Sequence, residues 1–256
     1  MLLRKIQQKS KLILTDISFR GSVMNWPFAR QMDLFHFVLC RNRPDKIELG
    51  TFENSSPLHT YAQDYFETRK ITDTPLYTII KSENQLKDAL KLKYTHFSFM
   101  TSISNAFQNR HDNKSLSETK RELQKISSIP EGTKRIYISC IGECPYMGEI
   151  DIEHTIYEIA QYYYQYKLDE LILCDTCGKM EYDKFRYLIE SLLLLGVPAS
   201  SFGLQLYMKK QYDVENILQY AINNNINNVV VSSMSHKESL LSYEMISKIT
   251  NDEKRI

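Results

Sequence analysis

The sequence predicts a (β/α)8 barrel. Eight short runs rich in β-branched residues recur along the chain, with longer amphipathic runs between them. The chain has 256 residues, and eight such units over roughly 250 residues are typical of this barrel. A doubly wound open sheet is the alternative, because it uses the same alternating units. Since no linker, low-complexity tract or clear repeat interrupts the pattern, residues 1–256 are predicted to form one domain.

Each predicted strand is a short apolar run bounded by polar or turn-forming residues, a pattern that favours buried parallel strands. In chain order the predicted strands are residues 11–17, 46–51, 75–81, 94–100, 134–140, 168–175, 201–207 and 227–233.

The predicted helices are longer and show apolar residues at helical spacing. They are residues 82–92, 115–129, 151–167, 180–195, 213–224 and 237–249. Ser115 and Glu118 have the spacing of a capping box, and Gly196 with Pro198 marks a helix end. The asparagine cluster at residues 223–228 predicts a polar turn from a helix into a strand.

The composition indicates a globular protein that binds neither nucleic acid nor membrane. Hydrophobic residues make up 43% and the net charge is +1, so the chain has no general electrostatic attraction for polyanions. No apolar run reaches the ~20 residues of a membrane span. Five cysteines without a secretion signal predict a reducing compartment, and we expect the cytoplasm. There is also no glycine-rich phosphate-binding motif.

The active site of such a barrel forms at the carboxyl ends of its strands. Charged, hydroxyl and thiol side chains gather at those predicted ends. They are Arg20, Glu48, Cys140, Cys144, Cys174, Asp175, Thr176 and Cys177.

Residues 137–150, Tyr-Ile-Ser-Cys-Ile-Gly-Glu-Cys-Pro-Tyr-Met-Gly-Glu-Ile, resemble the signature stretch of the hydroxymethylglutaryl-CoA lyase family. Residues 169–178 resemble that family's next strand and turn, and residues 102–109 resemble a helix entry more loosely. Arg20 stands where the family has a catalytic arginine. The resemblance covers roughly residues 11–233. It implies a (β/α)8 barrel that cleaves a carbon–carbon bond of an acyl-CoA thioester with Mg²⁺ or Mn²⁺.

The metal ligands that the resemblance implies are replaced in this sequence. Gly21 stands at the place of a ligating aspartate, and Leu204 and Leu206 stand at the places of two ligating histidines. The loop after the last strand lacks the family's catalytic cysteine and ligating asparagine. Leucine offers a divalent cation no lone pair. We therefore expect no metal cofactor and a pseudoenzyme, with both leucines filling the barrel interior.

The resemblance leaves Arg20 as a remnant catalytic residue. It leaves five candidate substrate-binding residues, which are Glu48, Asn105, Cys140, Asp175 and Thr176. The alternative interpretation of Arg20 is structural, as an ion pair with Glu48 or Asp175, because a charge at a barrel mouth needs a partner.

Three functions follow from these observations. The first is a binding or scaffold protein, for a CoA thioester or a protein partner, with a homo-oligomer left open. The second is an active lyase or aldolase with a reorganised site. The third is a structural zinc protein that uses Cys140, Cys144, Cys174 and Cys177, against the alternative that these are small buried thiols.

Overall fold

A computed structural model describes residues 11–129, 132–209, 211–234 and 240–250. The strands of this part of the chain, numbered in order, are β1 (Ile13–Asp16), β2 (Lys46–Thr51), β3 (Leu76–Ile79), β4 (His96–Ser102), β5 (Thr133–Ser139), β6 (Glu143–Cys144), β7 (Gly148–Glu149), β8 (Glu170–Cys174), β9 (Phe202–Gln205) and β10 (Asn228–Val231).

Eight of these strands close into a parallel barrel in the order β1-β10-β9-β8-β5-β4-β3-β2. Each of them overlaps one predicted strand. The closed order confirms the predicted (β/α)8 barrel and rejects the open sheet. The two short strands β6 and β7 form a separate antiparallel hairpin inside the signature stretch, which the sequence pattern did not predict.

The helices lie between consecutive barrel strands and after the last one. They are α1 (Phe28–Phe37), α2 (Pro57–Arg69), α3 (Glu83–Lys91), α4 (Asn105–Asp112), α5 (Leu116–Ser127), α6 (Ile152–Gln165), α7 (Tyr182–Leu194), α8 (Gln211–Asn223) and α9 (Tyr243–Thr250).

Local chemistry sets several of these helix ends as predicted. Ser115 and Glu118 form the full capping box at the start of α5, which satisfies two amides that the helix itself leaves free. After α7, Gly196 adopts a φ of +87°, a conformation that glycine reaches without steric cost. The predicted last helix is shorter than expected and begins at Tyr243; His236 and Lys237 lie outside the described residues.

Side chains alternate between the barrel interior and the layer under the helices. The large apolar core lies in that outer layer, where strand residues such as Leu173 and Val229 pack with helix residues such as Leu188 and Ile217. A small second cluster lies inside the barrel and contains Ile17, Tyr137, Ile172, Cys174 and Val230. Alternation along each strand therefore decides which residues can take part in a site at the barrel mouth, the end where the carboxyl ends of the strands lie.

Candidate functional site

Strand β9 places different residues at the mouth from those the sequence suggested. Leu204 and Leu206 are fully buried in the outer core under the helices. A Cβ added to Gly203 would meet Ile172 Cδ1 at 2.5 Å, so residue 203 faces the interior and residue 205 follows it on the same side. The prediction that the two leucines fill the barrel interior is therefore wrong, and the inward side chain at the end of β9 is Gln205.

A buried charge network fills the middle of the barrel. The Glu48 carboxylate, with no exposed surface, accepts hydrogen bonds from Arg135 Nη2 at 2.8 Å, Ser98 Oγ at 2.6 Å and Arg20 Nε at 2.5 Å. Burial opposes ionisation, but the two guanidinium groups and these donors hold the pKa of Glu48 below its usual value. Glu48 was a candidate substrate-binding residue, but its oxygens are already used inside the protein.

Arg20 lies directly above this network, at the mouth. Its ion pair with Glu48 confirms the structural alternative, whereas no contact joins it to Asp175 among the described residues. Its Nη1 lies 3.4 Å from Gln205 Oε1. Its Nη2 lies 2.5 Å from Glu48 Oε1, yet it is not aligned for a hydrogen bond and is unsatisfied within the described part of the chain.

Tyr137 forms the wall beside Arg20. The Arg20 guanidinium lies 4.0 Å from the Tyr137 ring centroid, and the Arg135 guanidinium lies 5.3 Å from it. The buried Tyr137 hydroxyl has no hydrogen-bond partner among the described residues. Because burial raises the pKa of Tyr137 far above its usual value, this hydroxyl keeps its proton. The unpaired Tyr137 hydroxyl and the charged Arg20 guanidinium thus belong to adjoining side chains at one end of the barrel.

Three other candidate residues serve the fold rather than an open site. Asp175 is buried and accepts hydrogen bonds from the Lys179 and Met180 amides at 3.2 and 3.0 Å, which fix the turn after β8. Thr176 Oγ1 accepts from the Cys140 amide at 2.7 Å. Asn105 is exposed on α4, and its Oδ1 accepts from the Leu116 amide at 2.9 Å. These contacts give each of the three residues a local structural role, and their substrate-binding roles stay predictions.

The four cysteines of the predicted zinc site do not converge. No group of three or more His, Cys, Asp or Glu side chains could hold a metal ion anywhere in the described residues. Cys174 faces the barrel interior, with its sulfur 3.7 Å from Gln205 Oε1. Cys177 instead points to the hairpin and donates to the Glu143 carbonyl at 3.4 Å. These directions remove the basis for the structural zinc interpretation.

The mouth itself offers a poor donor set for a divalent cation. Gly21 is exposed with a φ of +64° and has no ligating side chain. The nearby oxygens are Gln205 Oε1, which faces Arg20, and the Tyr207 hydroxyl, which accepts from Gln205 Nε2 at 3.2 Å. The buried carboxylate of Glu48 is neutralised by two guanidinium groups. A cation here would lie beside the fixed charge of Arg20.

A segment after β10 returns across the mouth. Leu240 makes an antiparallel bridge with Tyr207 and packs, with Met100, against the interior cluster that contains Tyr137 and Cys174. The amide of Ser232 donates to the carbonyl of Leu241 at 3.0 Å. The candidate site is therefore partly covered by residues that follow the last barrel strand.

Arg135, Tyr137 and Gln205 were not among the residues that the sequence singled out. For Arg135 a signal existed, since an arginine inside an otherwise apolar strand needs a buried partner. Gln205 could not be recognised, because the inward side of β9 depends on the register with β8 and β10.

None of the helices in the described ranges is long and apolar enough to span a bilayer.

The sequence is similar to hydroxymethylglutaryl-CoA lyase YngG of Bacillus subtilis, with 25% identity over 132 residues, 50% of this chain and 44% of the relative. The chain is thus homologous to that lyase, although the match spans less than half of the relative's length. No family model matches the chain.

Solved structures of such lyases have the same fold. The HMG-CoA lyase from Brucella melitensis superposes with a TM-score of 0.78 at 15% identity, covering 94% of this chain and 90% of that one. A lyase from Acinetobacter baumannii in complex with coenzyme A and 3-methylmalate gives a TM-score of 0.76 at 14% identity, covering 94% and 84%.

Proposed function

We propose that this protein binds an acyl-CoA or a related carboxylate at its barrel mouth and does not catalyse the metal-dependent lyase reaction. The observation that carries this proposal is the buried Tyr137 hydroxyl, which has no hydrogen-bond partner among the described residues and belongs to a ring packed against the Arg20 guanidinium. An unpaired buried donor costs about 1–3 kcal/mol, so a ligand oxygen that accepts from Tyr137 beside the charge of Arg20 would recover that loss.

The charges at the mouth agree with an anionic ligand. Burial and the Glu48 carboxylate act in opposite directions on the pKa of Arg20, and the net effect raises it, so the guanidinium stays charged. The homologous lyase bound to coenzyme A and 3-methylmalate holds a thioester carrier and a dicarboxylate. By analogy, the oxygen that meets Arg20 and Tyr137 here would belong to a carboxylate or a thioester.

The proposed absence of lyase activity follows from the side chains that are available as metal ligands. In a metal-dependent lyase the cation orients and polarises the substrate oxygens. Here Gly21 supplies no ligand, Leu204 and Leu206 face the helices, and Gln205 faces Arg20. The divalent cation that the resemblance implies does not fit these residues. The protein would keep the recognition of an oxyanion and lack the means to cleave the bond beside it.

A calorimetric titration with coenzyme A, acetyl-CoA and 3-methylmalate tests binding, and Tyr137→Phe is the decisive variant. Its hydroxyl has no partner among the described residues, so its removal should not lower the melting temperature of the free protein and should raise it if the unpaired donor is costly. Loss of a hydrogen bond to a charged ligand should weaken binding roughly 10- to 100-fold. Tyr162→Phe is the matched control, because that hydroxyl contacts Thr101 at 2.8 Å in the outer layer and its loss should not change affinity.

A lyase assay with hydroxymethylglutaryl-CoA and either Mg²⁺ or Mn²⁺ tests the missing chemistry. We expect no cleavage above the buffer rate. Metal-dependent cleavage would support the active lyase with a reorganised site instead. Binding that is unaffected by Tyr137→Phe would refute the assigned site, even if the protein proved inactive.

A further inference from the structure

The signature stretch contains a pair of cysteines that the proposed ligand site does not use. Cys140 follows β5, and Cys144 ends the first strand of the β6–β7 hairpin. Both side chains are buried, with 0% and 1% of their surface exposed. Each thiol acts on the pKa of the other: Cys140 lowers that of Cys144, and Cys144 raises that of Cys140. They are thus close enough to interact, although neither is bonded in a disulfide.

The surroundings of Cys144 favour its thiolate. Its sulfur accepts hydrogen bonds from Ser104 Oγ at 3.0 Å and from the Tyr146 amide at 3.4 Å, and the Met147 amide also contributes. Burial raises the pKa of Cys144, but these donors outweigh burial and the pKa lies below its usual value. A cysteine held as its thiolate is the nucleophilic form.

The two cysteines suit different roles. Cys144 has the features of an attacking thiolate, and Cys140 has those of a resolving thiol, which forms a disulfide with the oxidised partner. Burial raises the pKa of Cys140 to about 12, so Cys140 remains a protonated thiol that can donate to the sulfur of Cys144. Its backbone is held in the left-handed region, with a φ of +64°, and its amide is fixed by Thr176. That conformation is unusual for a residue with a side chain.

Cys144 leads directly into an exposed turn. The residues that follow it, Pro145 to Glu149, are all exposed, and Met147 has 70% of its surface open. A movement of this turn would give a small oxidant a path to the sulfur.

We propose that Cys144 and Cys140 form a peroxide-reactive dithiol, in which Cys144 attacks hydrogen peroxide and Cys140 resolves the product to an intramolecular disulfide. In the first step the Cys144 sulfur bonds to one peroxide oxygen, the O–O bond breaks, and the leaving hydroxide takes a proton and departs as water. The Cys144 sulfur is thereby oxidised to a sulfenic acid. In the second step the Cys140 sulfur bonds to the Cys144 sulfur, the S–O bond breaks, and the Cys140 proton leaves with the hydroxyl as a second water.

The second cysteine pair serves as an internal comparison. Cys174 and Cys177 are closer in sequence, but Cys174 faces the interior and Cys177 faces the Glu143 carbonyl. Burial raises the pKa of both, that of Cys174 to about 12. Among the described residues, neither sulfur has the hydroxyl and amide donors that surround Cys144, so this pair should stay reduced.

The test uses the full chain with Cys40→Ser, since Cys40 is exposed and would form bonds between molecules. After treatment with hydrogen peroxide and alkylation in denaturant, trypsin separates the two pairs. Cleavage after Arg135 and Lys167 leaves Cys140 and Cys144 in one peptide, and cleavage after Lys179 leaves Cys174 and Cys177 in the next. We expect the first peptide to lose two hydrogens and to carry no alkyl group, while the second stays fully alkylated.

Two variants separate the roles of the pair. In Cys140→Ser, a dimedone adduct should accumulate on Cys144, because the resolving thiol is absent. In Cys144→Ser, Cys140 should remain a thiol that alkylates fully. If both cysteines of the parent protein stay reduced, or if Cys144 instead links to Cys177 and joins the two peptides, the proposal is wrong. A melting curve of each variant shows that the protein is folded, and Ser104→Ala should slow the oxidation of Cys144 in a folded protein.

Discussion

The middle of the barrel and its mouth are built from the same strands but differ in how completely their polar groups are paired. In the middle, Arg135, Glu48 and Ser98 satisfy one another, and below them Lys46, Glu170 and Asn228 do the same. At the mouth, Arg20 Nη2 and Tyr137 OH have no hydrogen-bond partners within the described residues.

This difference distinguishes the middle of the barrel, which has a structural role, from the mouth, which is the candidate binding site. Buried polar groups in proteins are generally hydrogen-bonded, and the exceptions need an explanation. In the lower interior the described exception is His96 Nδ1, and burial lowers the pKa of His96, so a neutral ring can leave that nitrogen as a lone pair. The Tyr137 hydroxyl at the mouth keeps its proton, so it remains a buried donor without an acceptor among the described residues.

The largest expected effect comes from breaking the paired region. Glu48→Gln keeps the shape of the side chain but removes the charge that balances Arg20 and Arg135. Because Arg135 has no exposed surface, the free energy of unfolding should fall by about 3–5 kcal/mol. Urea denaturation measures this change. The double variant Glu48→Leu with Arg135→Met should recover much of the loss, since it removes both buried charges. If Glu48→Gln costs less than about 1 kcal/mol, the network is not a fixed part of the scaffold.

The alternation along β9 gives the next test. Leu204→Ala removes a fully buried side chain from the outer core and should cost about 2–5 kcal/mol. Its neighbour Gln205 faces the mouth, where its side chain makes only long contacts, to Arg20 at 3.4 Å, Tyr207 at 3.2 Å and Cys174 at 3.7 Å. Gln205→Ala should therefore cost less than Leu204→Ala, about 1 kcal/mol. Denaturant unfolding of the two variants compares them directly. Equal losses would mean that the two faces of β9 are not distinct.

The barrel strands and the inward face of β9 show how much of the fold could be predicted from the sequence. The strands and most helices were predictable, because eight apolar runs alternate with amphipathic ones. The capping box at Ser115 and the stop at Gly196 were predictable because each depends on local chemistry. The inward face of β9 was not, since four-residue strands with apolar residues at several positions carry no clear alternation. Register with neighbouring strands decides that face, and register is a property of the whole barrel.

The candidate site could likewise be predicted only in part. The Arg20–Glu48 ion pair was one of two structural alternatives. The substrate-binding roles of Asn105, Asp175 and Thr176 stay predictions. Their hydrogen bonds to nearby amides could not be inferred from residue type alone. Helices α1, α2 and α4 had no clear pattern in the sequence, and α2 mixes buried Leu58 and Phe66 with the buried polar ring of His59.

That histidine makes the scaffold sensitive to acid. His59 has no exposed surface, and burial lowers its pKa to about 4. The unfolded chain binds a proton on this histidine near pH 6.5, whereas the folded protein binds it only near pH 4. The free energy of unfolding is therefore at its full value above pH 6.5 and decreases as the pH falls towards 4. The loss should reach roughly 3 kcal/mol. Urea midpoints between pH 7 and pH 4 measure it, and His59→Gln should flatten the profile. An equally steep profile in the variant would assign the acid loss to other groups.

The smallest expected effect is a metal-dependent gain in a protein given new ligands at its mouth. Gly21→Asp, Gln205→His and Tyr207→His place a carboxylate and two imidazoles on the positions that the structure assigns to the mouth. The backbone of Gly21, with a φ of +64° and open space around an added Cβ, accepts aspartate at a modest cost. Arg20 lies beside the new site and weakens it. With Mn²⁺ at roughly five times its Kd, binding to the folded state alone should add about 1 kcal/mol of stability, seen as a small rise in the melting temperature. The matched control carries Gly21→Asp, Leu204→His and Leu206→His, which have the same chemistry but face the helices. That control should lose stability through the buried imidazoles and gain nothing from Mn²⁺. A Mn²⁺-dependent rise in the control, rather than in the first variant, would show that residues 204 and 206 reach the mouth.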